Sequence, residues 1–146
     1  MSSGSRGLLL DSDVLAEIRR SRPNPTIVAF LRRRAHRTLF LSTLSLGELR
    51  GLYPQPETER WLDELVERFA GHVLEVDSRV AREWAGRSTP QSILRLGKSP
   101  GASWTGAAVE GLVAATARVH DLTVISSKSE TYRSWGVEAL DPWTEA

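Results

Sequence analysis

The 146 residues suffice for one compact domain with its own hydrophobic core and are too few for two ordinary ones. There is no cysteine, which excludes disulfides, thiolate metal sites and thiol nucleophiles, so any metal must be bound through oxygen or histidine. The net charge is only +1. No apolar run approaches the roughly 18 residues of a membrane span, and the polar first residues lack a signal-peptide pattern. We therefore expect a cytoplasmic protein with a single domain over residues 1–146, ordered from about residue 7 to residue 143.

Short apolar runs alternate with segments of helical periodicity along the chain. The apolar runs predict five strands, at residues 7–11, 38–42, 72–76, 122–126 and 137–140. The periodic segments predict helices at residues 14–20 and 26–34, after the second strand to about Pro54, at 57–70, after Asp77 or Ser78, and at 107–120. Residues 87–105 are predicted to be rich in loops. This alternation favours an α/β fold with a parallel sheet covered on both faces.

Three acidic residues stand out against this pattern. Asp11 ends the first strand, Glu48 lies in the helix directly after the second strand, and Glu110 lies in the apolar helix before the fourth strand. Ligands of parallel sheets collect at the carboxyl ends of the strands. These three acids therefore mark the candidate functional site.

Glu110 is the acid that folding alone explains least. Its neighbours in sequence are alanine, valine, glycine and leucine, and the nearest arginine is Arg118. A buried ionised carboxylate costs several kcal/mol unless something is paired with it. Glu110 is expected to bind a divalent cation, to meet a basic residue from elsewhere in the chain, or to face water on a rotated helix.

Asp11 and Glu48 also have ordinary structural explanations. Asp11, Ser12 or Asp13 could each cap the helix after the first strand, although one cap needs only one of them. Glu48 ends the segment Ser45-Leu-Gly-Glu48, which fits the capping box S-x-x-E at the start of a helix. The sequence leaves both alternatives open.

As a group, these carboxylates would supply hard oxygen ligands, which favour Mg²⁺ or Mn²⁺ over zinc in a chain with few histidines. Magnesium keeps water molecules in its coordination shell, and one of them can be positioned to attack a phosphodiester in line. Such chemistry needs no nucleophilic side chain. The acids are therefore compatible with phosphodiester hydrolysis.

Four segments, in order over about residues 7–143, resemble the VapC-type PIN-domain toxins and their FitB-like branch. The first is Leu8-Leu-Leu-Asp-Ser-Asp-Val14, in which an aspartate and a small hydroxyl residue follow the strand, with Glu17-Ile-Arg-Arg20 after it. The others are residues 40–51, residues 110–117 with the strand that follows them, and the closing segment Gly136-Val-Glu-Ala-Leu-Asp-Pro-Trp143.

This resemblance implies a three-layer α/β/α sandwich with a mostly parallel central sheet and an acidic pocket holding Mg²⁺ or Mn²⁺. By motif position, Asp11, Glu48 and Glu110 would be the catalytic metal ligands. It further implies the toxin of a type II toxin–antitoxin system, an endoribonuclease that cleaves RNA. Such toxins usually form homodimers, and a small cognate antitoxin protein inhibits them from a groove near the active site.

The chain departs from the family pattern around the last part of this site. The family usually has aspartate where this chain has Glu110, and the longer side chain shifts the ligand geometry. After the fourth strand the family commonly has asparagine and then aspartate, whereas these positions here are Lys128 and Thr131. Glu130, one residue early, is a candidate replacement metal ligand. Four polar residues are candidates for contact with the substrate phosphate: Ser12, Asp13, Ser126 and Lys128.

Two other functions are compatible with the same residues. An ammonium at Lys128 could displace a metal, which would give a PIN fold that binds or regulates without cutting, or it could instead hold the scissile phosphate. Asp11-Ser-Asp-Val14 also fits the nucleophile motif D-x-D-x-[TV] of haloacid-dehalogenase-like phosphatases, with Ser126 and Lys128 as further parts of that site. The acidic pair that such phosphatases carry after a later strand is missing here.

Overall fold

The computed structural model describes residues 5–87 and 104–145, with the side chains of 87 and 104–107 left undescribed. Most of the predicted loop-rich segment, residues 88–103, lies outside the described residues, and the remaining residues of that segment belong to helices. The strands are β1 (Gly7–Leu10), β2 (Thr38–Ser42), β3 (Val73–Leu74), β4 (Leu122–Ile125) and β5 (Ala139–Leu140). The helices are α1 (Ser12–Arg19), α2 (Pro25–Arg33), α3 (Thr43–Leu52), α4 (Pro56–Arg68), α5 (Ser78–Arg87), α6 (Trp104–His120) and α7 (Ser129–Ser134).

The five strands form one sheet in the order β3-β2-β1-β4-β5, and every neighbouring pair is parallel. The first strand is central, with Gly7 paired to Thr38 of β2 on one side and to Leu122 of β4 on the other. After β1 the chain forms β2 and β3 on one side of it, and it later returns to form β4 and β5 on the other side. This reversal of strand order creates a crevice at the carboxyl ends of β1, β2 and β4, where open α/β sheets bind ligands.

Helices cover both faces of the sheet, which confirms the predicted three-layer α/β/α architecture. Leu8 and Leu10 of β1 pack into the cluster built with α1 to α4, whereas Leu9 packs into the cluster that includes α6 and α7. Because successive strand residues point to opposite faces, a strand buried on both sides must be apolar at every position. All four residues of β1 are accordingly buried. No described helix is long and apolar enough to cross a bilayer.

The helices that follow β1 and β2 are capped by the residue directly after or at the end of each strand. Asp11 caps α1 by accepting a hydrogen bond from the Ser12 N–H at 3.0 Å. Ser42 caps α3 by accepting one from the Leu44 N–H at 3.1 Å. Of the two alternatives for Glu48, the capping box with Ser45 does not occur, because Ser42 is the cap and Ser45 already lies within the first turn of α3. Glu48 has no capping role and is free to take part in the site.

Several elements differ from the prediction at their ends. The two edge strands are shorter than predicted, with only two residues each in β3 and β5, and α6 begins at Trp104 rather than at residue 107. Helix α7 was not predicted, because its six residues are too few to show helical periodicity. This short helix packs against β4 and β5 and brings Tyr132 beneath the site.

Gly111 allows α6 to approach two aromatic side chains closely. A Cβ at this position would lie 2.8 Å from Cη2 of Trp135 and 3.0 Å from Cδ1 of Trp84. These rings come from the segment after α7 and from α5. The missing side chain at Gly111 thus sets the distance between α6 and its neighbours, and with it the position of Glu110.

Candidate active site

Asp11 is the centre of the site and is held more firmly than a helix cap requires. Its side chain is 1% exposed and accepts three hydrogen bonds. One comes from the Ser12 N–H, and the other two come from the hydroxyls of Ser126 and Tyr132, both at 2.9 Å to Oδ2. Burial and the nearby carboxylate of Asp11 raise the pKa of the Tyr132 phenol far above its ordinary value, so Tyr132 remains a donor. The donors come from α1, the end of β4 and α7, so three elements fix one carboxylate.

The acids of the site repel one another. Burial, followed by the charge of Asp13, raises the pKa of Asp11, although hydrogen bonding by Ser126 and the charge of Lys128 act against this. Burial and then the charge of Asp11 likewise raise the pKa of Glu48, which lies half-buried on α3. Desolvation and like charges both disfavour the ionised form of a carboxylate. The surplus of negative charge makes this crevice a favourable place for a cation.

Glu110 meets a basic residue from elsewhere in the chain, which is one of the alternatives that the sequence left open. The Lys128 Nζ lies 3.3 Å from Oε2 of Glu110, with side-chain exposures of 42% and 22%. Burial lowers the pKa of Lys128, but the charges of Asp11, Glu110 and Glu48 outweigh burial and raise it. Lys128 is therefore a protonated ammonium set among the acids.

Asp13 contributes an oxygen atom that has no hydrogen-bond partner among the described residues. Its Oδ2 accepts hydrogen bonds from the N–H of Ser127 at 2.9 Å and from the Ser127 hydroxyl. Its Oδ1 is buried and has no hydrogen-bond partner among the residues that the structure describes. Buried polar atoms are nearly always satisfied, so an orphaned carboxylate oxygen beside other acids suggests a missing ligand.

A cavity of about 440 Å³ opens beside these residues; Asp13, Glu48 and Lys128 line it, whereas Asp11 and Glu110 lie outside its lining. Its polar lining includes Ser12, Asp13, Glu48 and Lys128, and its outer part includes Leu52 and Tyr53, which are 66% and 38% exposed. A larger cavity, of about 730 Å³, has a lining that includes three arginines and none of the site's acids. The chemistry of the lining, not its size, identifies the smaller cavity as the candidate site.

The site fits Mg²⁺ or Mn²⁺ by the nature of its donors. All of them are oxygens, and the orphaned Oδ1 of Asp13 is one that a hard cation would satisfy. Within residues 5–87 and 104–145, no three acidic or histidine side chains already converge as a ready-made metal site. The ammonium of Lys128 lies among the acids in this arrangement.

The structure brings together seven of the eight residues that the sequence analysis selected. These are Asp11, Ser12, Asp13, Glu48, Glu110, Ser126 and Lys128. Glu130 is different, because it is exposed in the first turn of α7 and is not among the groups that shift the pKa of Asp11, Glu48 or Lys128. Tyr132 and Ser127 were missed, and no sequence signal pointed to either. Tyr132 contacts Asp11 only because α7 folds back under the end of β1.

Curated proteins resemble the chain over almost its whole length, while no protein-family model matches it. Toxin FitB of Neisseria gonorrhoeae is 31% identical over 144 residues, which cover 93% of this chain and 98% of FitB. VapC ribonuclease Y4jK of Sinorhizobium fredii is 27% identical over 147 residues, covering 95% and 99% of the two chains.

Solved structures that are similar to this chain carry FitB- or VapC-type names like those of the two relatives. FitAcB from Neisseria gonorrhoeae has a TM-score of 0.68 at 30% identity and covers 94% of this chain and 99% of its own. FitAB bound to an IR36 DNA fragment has a TM-score of 0.71 at 25% identity, with coverages of 95% and 97%. DNA-bound VapBC from Salmonella typhimurium, at 20% identity and a TM-score of 0.62, covers 93% and 98% of the two chains and is similar in fold.

Proposed function

The chain belongs to the FitB and VapC family of PIN-domain toxins, and we propose that it is an Mg²⁺- or Mn²⁺-dependent endoribonuclease. In this proposal it is the toxin of a type II toxin–antitoxin pair that acts on RNA in the cytoplasm. The observation that carries the proposal is the buried carboxylate of Asp11, which three donors hold at the crevice of the sheet. Full-length similarity to a protein named as a VapC ribonuclease supports the same reaction.

Each residue has a defined part in this proposal. Asp11, Glu48 and Glu110 would hold the cation, with the free Oδ1 of Asp13 as a further oxygen. When bound, such an ion neutralises charge on the phosphate and lowers the pKa of a water molecule. Ser126 and Tyr132 are positioning residues, because their hydroxyls fix the Oδ2 of Asp11.

The rim of the cavity suggests how an RNA strand would be received. Tyr53 follows α3, lines the cavity beside Glu48 and is 38% exposed, so it is accessible to solvent. Stacking of an unpaired base on an aromatic ring contributes about 1–3 kcal/mol and tolerates any base. We therefore expect unpaired RNA segments, rather than regular duplex, to be the substrate.

We also propose a protein partner. The similar solved structures named FitAcB and FitAB indicate that FitB assembles with a second protein, FitA. A small antitoxin would cover the exposed apolar residues beside the cavity, of which Leu52 is the most exposed at 66%. Homodimerisation of the single-domain chain belongs to the same proposal, with the exposed Val66 on α4 as a candidate contact.

A fold that no longer cuts is the second candidate, and one specific observation favours it. The ammonium of Lys128 lies against Glu110, where a cation ligand is needed. The phosphatase alternative loses its basis, because relatives that match over nearly the whole chain include a protein named as a toxin and one named as a ribonuclease.

The deciding experiment incubates the purified protein with a pool of structured RNAs in Mn²⁺, in Mg²⁺ and in chelator. We expect cutting in either metal, none in chelator, and recovery when metal is added back in excess. Since water attacks rather than the ribose hydroxyl, the fragments should carry 5′-phosphate and 3′-hydroxyl ends. Cyclic phosphate ends that persist in chelator would indicate a contaminating nuclease. Intact RNA under all conditions, with Mn²⁺ bound to the protein, would favour the non-cutting fold.

A further inference from the structure

We propose that Lys128 takes the place of one cation in the acidic cavity and competes with a divalent ion for the carboxylate of Glu110. This inference rests on the proposed function, since it concerns the ion that the acids would hold. It makes Lys128 a built-in restraint on metal binding, not a contact to the substrate.

The main chain of Lys128 is anchored to the centre of the site. Its N–H donates to Oγ of Ser126 at 3.0 Å, and the same hydroxyl donates to Asp11 at 2.9 Å. The lysine therefore follows the carboxyl end of β4, next to β1, whose last residue directly precedes Asp11. From there its side chain reaches across to Glu110 on α6, where Nζ and Oε2 are 3.3 Å apart.

Lys128 is the cation that the acids of the site share. Its positive charge acts against the rise in the pKa of both Asp11 and Glu48, and the charges of Asp11, Glu110 and Glu48 act on it in return. Arg20 also lines the cavity, but its guanidinium is paired with Glu17 at 3.1 Å. A single ammonium thus offsets part of the charge of several carboxylates when no metal is bound.

The ammonium and a divalent ion cannot both use Glu110 at close range. Magnesium binds carboxylate oxygens at about 2.0–2.1 Å, so an ammonium held at the same oxygen would lie within a few ångströms of a second positive ion. Like charges at that distance repel. The Lys128 side chain is 42% exposed and flexible, so it can swing out to solvent when the ion binds. Binding then costs the Lys128–Glu110 pair, and metal affinity is lowered.

The test titrates Mn²⁺ by calorimetry into the full chain and into Lys128→Gln. The matched control is Arg68→Gln, which removes one exposed positive charge at the end of α4, outside the cavity lining. Lys128→Gln should bind Mn²⁺ at least about tenfold more tightly, since one charge within about 4–6 Å shifts proton binding by a carboxylate to that extent. Arg68→Gln should bind as the unmodified protein does. Lys128→Met serves as a second neutral variant if Lys128→Gln does not fold.

Thermal unfolding gives an independent readout. Without metal, Lys128→Gln should melt at a lower temperature than the unmodified chain, because its acids have lost their shared cation. Saturating Mn²⁺ should raise its melting temperature by more than it raises that of the unmodified chain. Arg68→Gln should show neither difference.

Equal Mn²⁺ affinity in the neutral variant and the unmodified protein would overturn the inference and leave the proposed function intact. Unchanged Mn²⁺ affinity with weakened RNA binding would also overturn it and assign Lys128 to the substrate phosphate. If neither protein binds Mn²⁺ at millimolar concentrations, the metal-dependent function itself fails, and this inference falls with it.

Discussion

Replacing Tyr132 with phenylalanine removes one hydroxyl from beneath the site and leaves the ring. The tyrosine is 1% exposed, and its hydroxyl donates to Oδ2 of Asp11 at 2.9 Å. A hydrogen bond to a charged group contributes about 1.5–3 kcal/mol to stability. The loss should fall toward the lower end of that range, because Ser126 still donates to the same oxygen.

The assay is equilibrium unfolding of Tyr132→Phe by heat and by urea without metal. A loss of about 1.5–2 kcal/mol corresponds to a decrease of about 3–8 °C in melting temperature for a chain of this size. Tyr53→Phe is the matched control, since it deletes the same atom from a residue that is 38% exposed at the rim of the cavity. We expect the control to change stability by no more than about 0.5 kcal/mol.

A double-mutant cycle then tests whether the hydroxyl acts on the carboxylate itself. In an Asp11→Asn background the bond is between neutral groups, so Tyr132→Phe should cost about 1 kcal/mol less than in the unmodified protein. The reasoning is refuted if Tyr132→Phe costs no more than Tyr53→Phe, or if its cost is the same in both backgrounds.

Three further predictions concern the acids and the packing of α6. Folding raises the pKa of Asp11 above 3.8 and that of Glu48 above 4.5, so the folded state binds these protons more tightly than the unfolded chain. The free energy of unfolding, measured by calorimetry, should therefore fall as the pH rises through the raised pKa values, and it should fall less in Asp11→Asn. Gly111→Ala should lower the free energy of unfolding by about 1–3 kcal/mol, because the added Cβ meets two tryptophan rings. The control Gly47→Ala has nothing within 4 Å of its Cβ and should be neutral or stabilising, so equal effects of the two changes in urea unfolding would contradict this packing. Glu110→Gln should abolish RNA cleavage and should lower the free energy of unfolding by no more than about 1 kcal/mol, because the ion pair of Glu110 is partly exposed. If the variant unfolds instead, Glu110 is a structural residue.

The part of the fold that the sequence predicts best is the part fixed by local patterns. An apolar run that ends in an acid predicts β1 and places Asp11 at its carboxyl end, because a strand buried on both faces must be apolar throughout. The same reasoning predicts β2, β4 and the parallel sheet. The short edge strands were predicted too long, since an apolar residue looks the same whether or not it pairs with a neighbour.

The candidate site was harder to predict where it depends on contacts between distant elements. The Ser45 to Glu48 pattern imitates a capping box, but β2 ends at Ser42 and the helix begins directly after it. The ion pair between Lys128 and Glu110 joins the end of β4 to α6, so the helix sequence alone left the partner of Glu110 open. The hydroxyl of Tyr132 reaches Asp11 only because of the tertiary position of α7, and the periodicity of the sequence does not predict that position.

The central claim is that the chemistry occurs at Asp11. The direct measurement is the single-turnover rate of RNA cleavage in Mn²⁺ for the unmodified chain, Asp11→Asn and Asp63→Asn, purified identically and matched for folding by circular dichroism. Asp63 is an exposed residue of α4 and serves as the control for losing one carboxylate. We predict that Asp11→Asn cuts at least about 100-fold more slowly, because even residues that only support a metal ligand commonly contribute about 10–100-fold. Asp63→Asn should cut at the unmodified rate. Cleavage by Asp11→Asn at the unmodified rate would place the chemistry elsewhere and contradict the account.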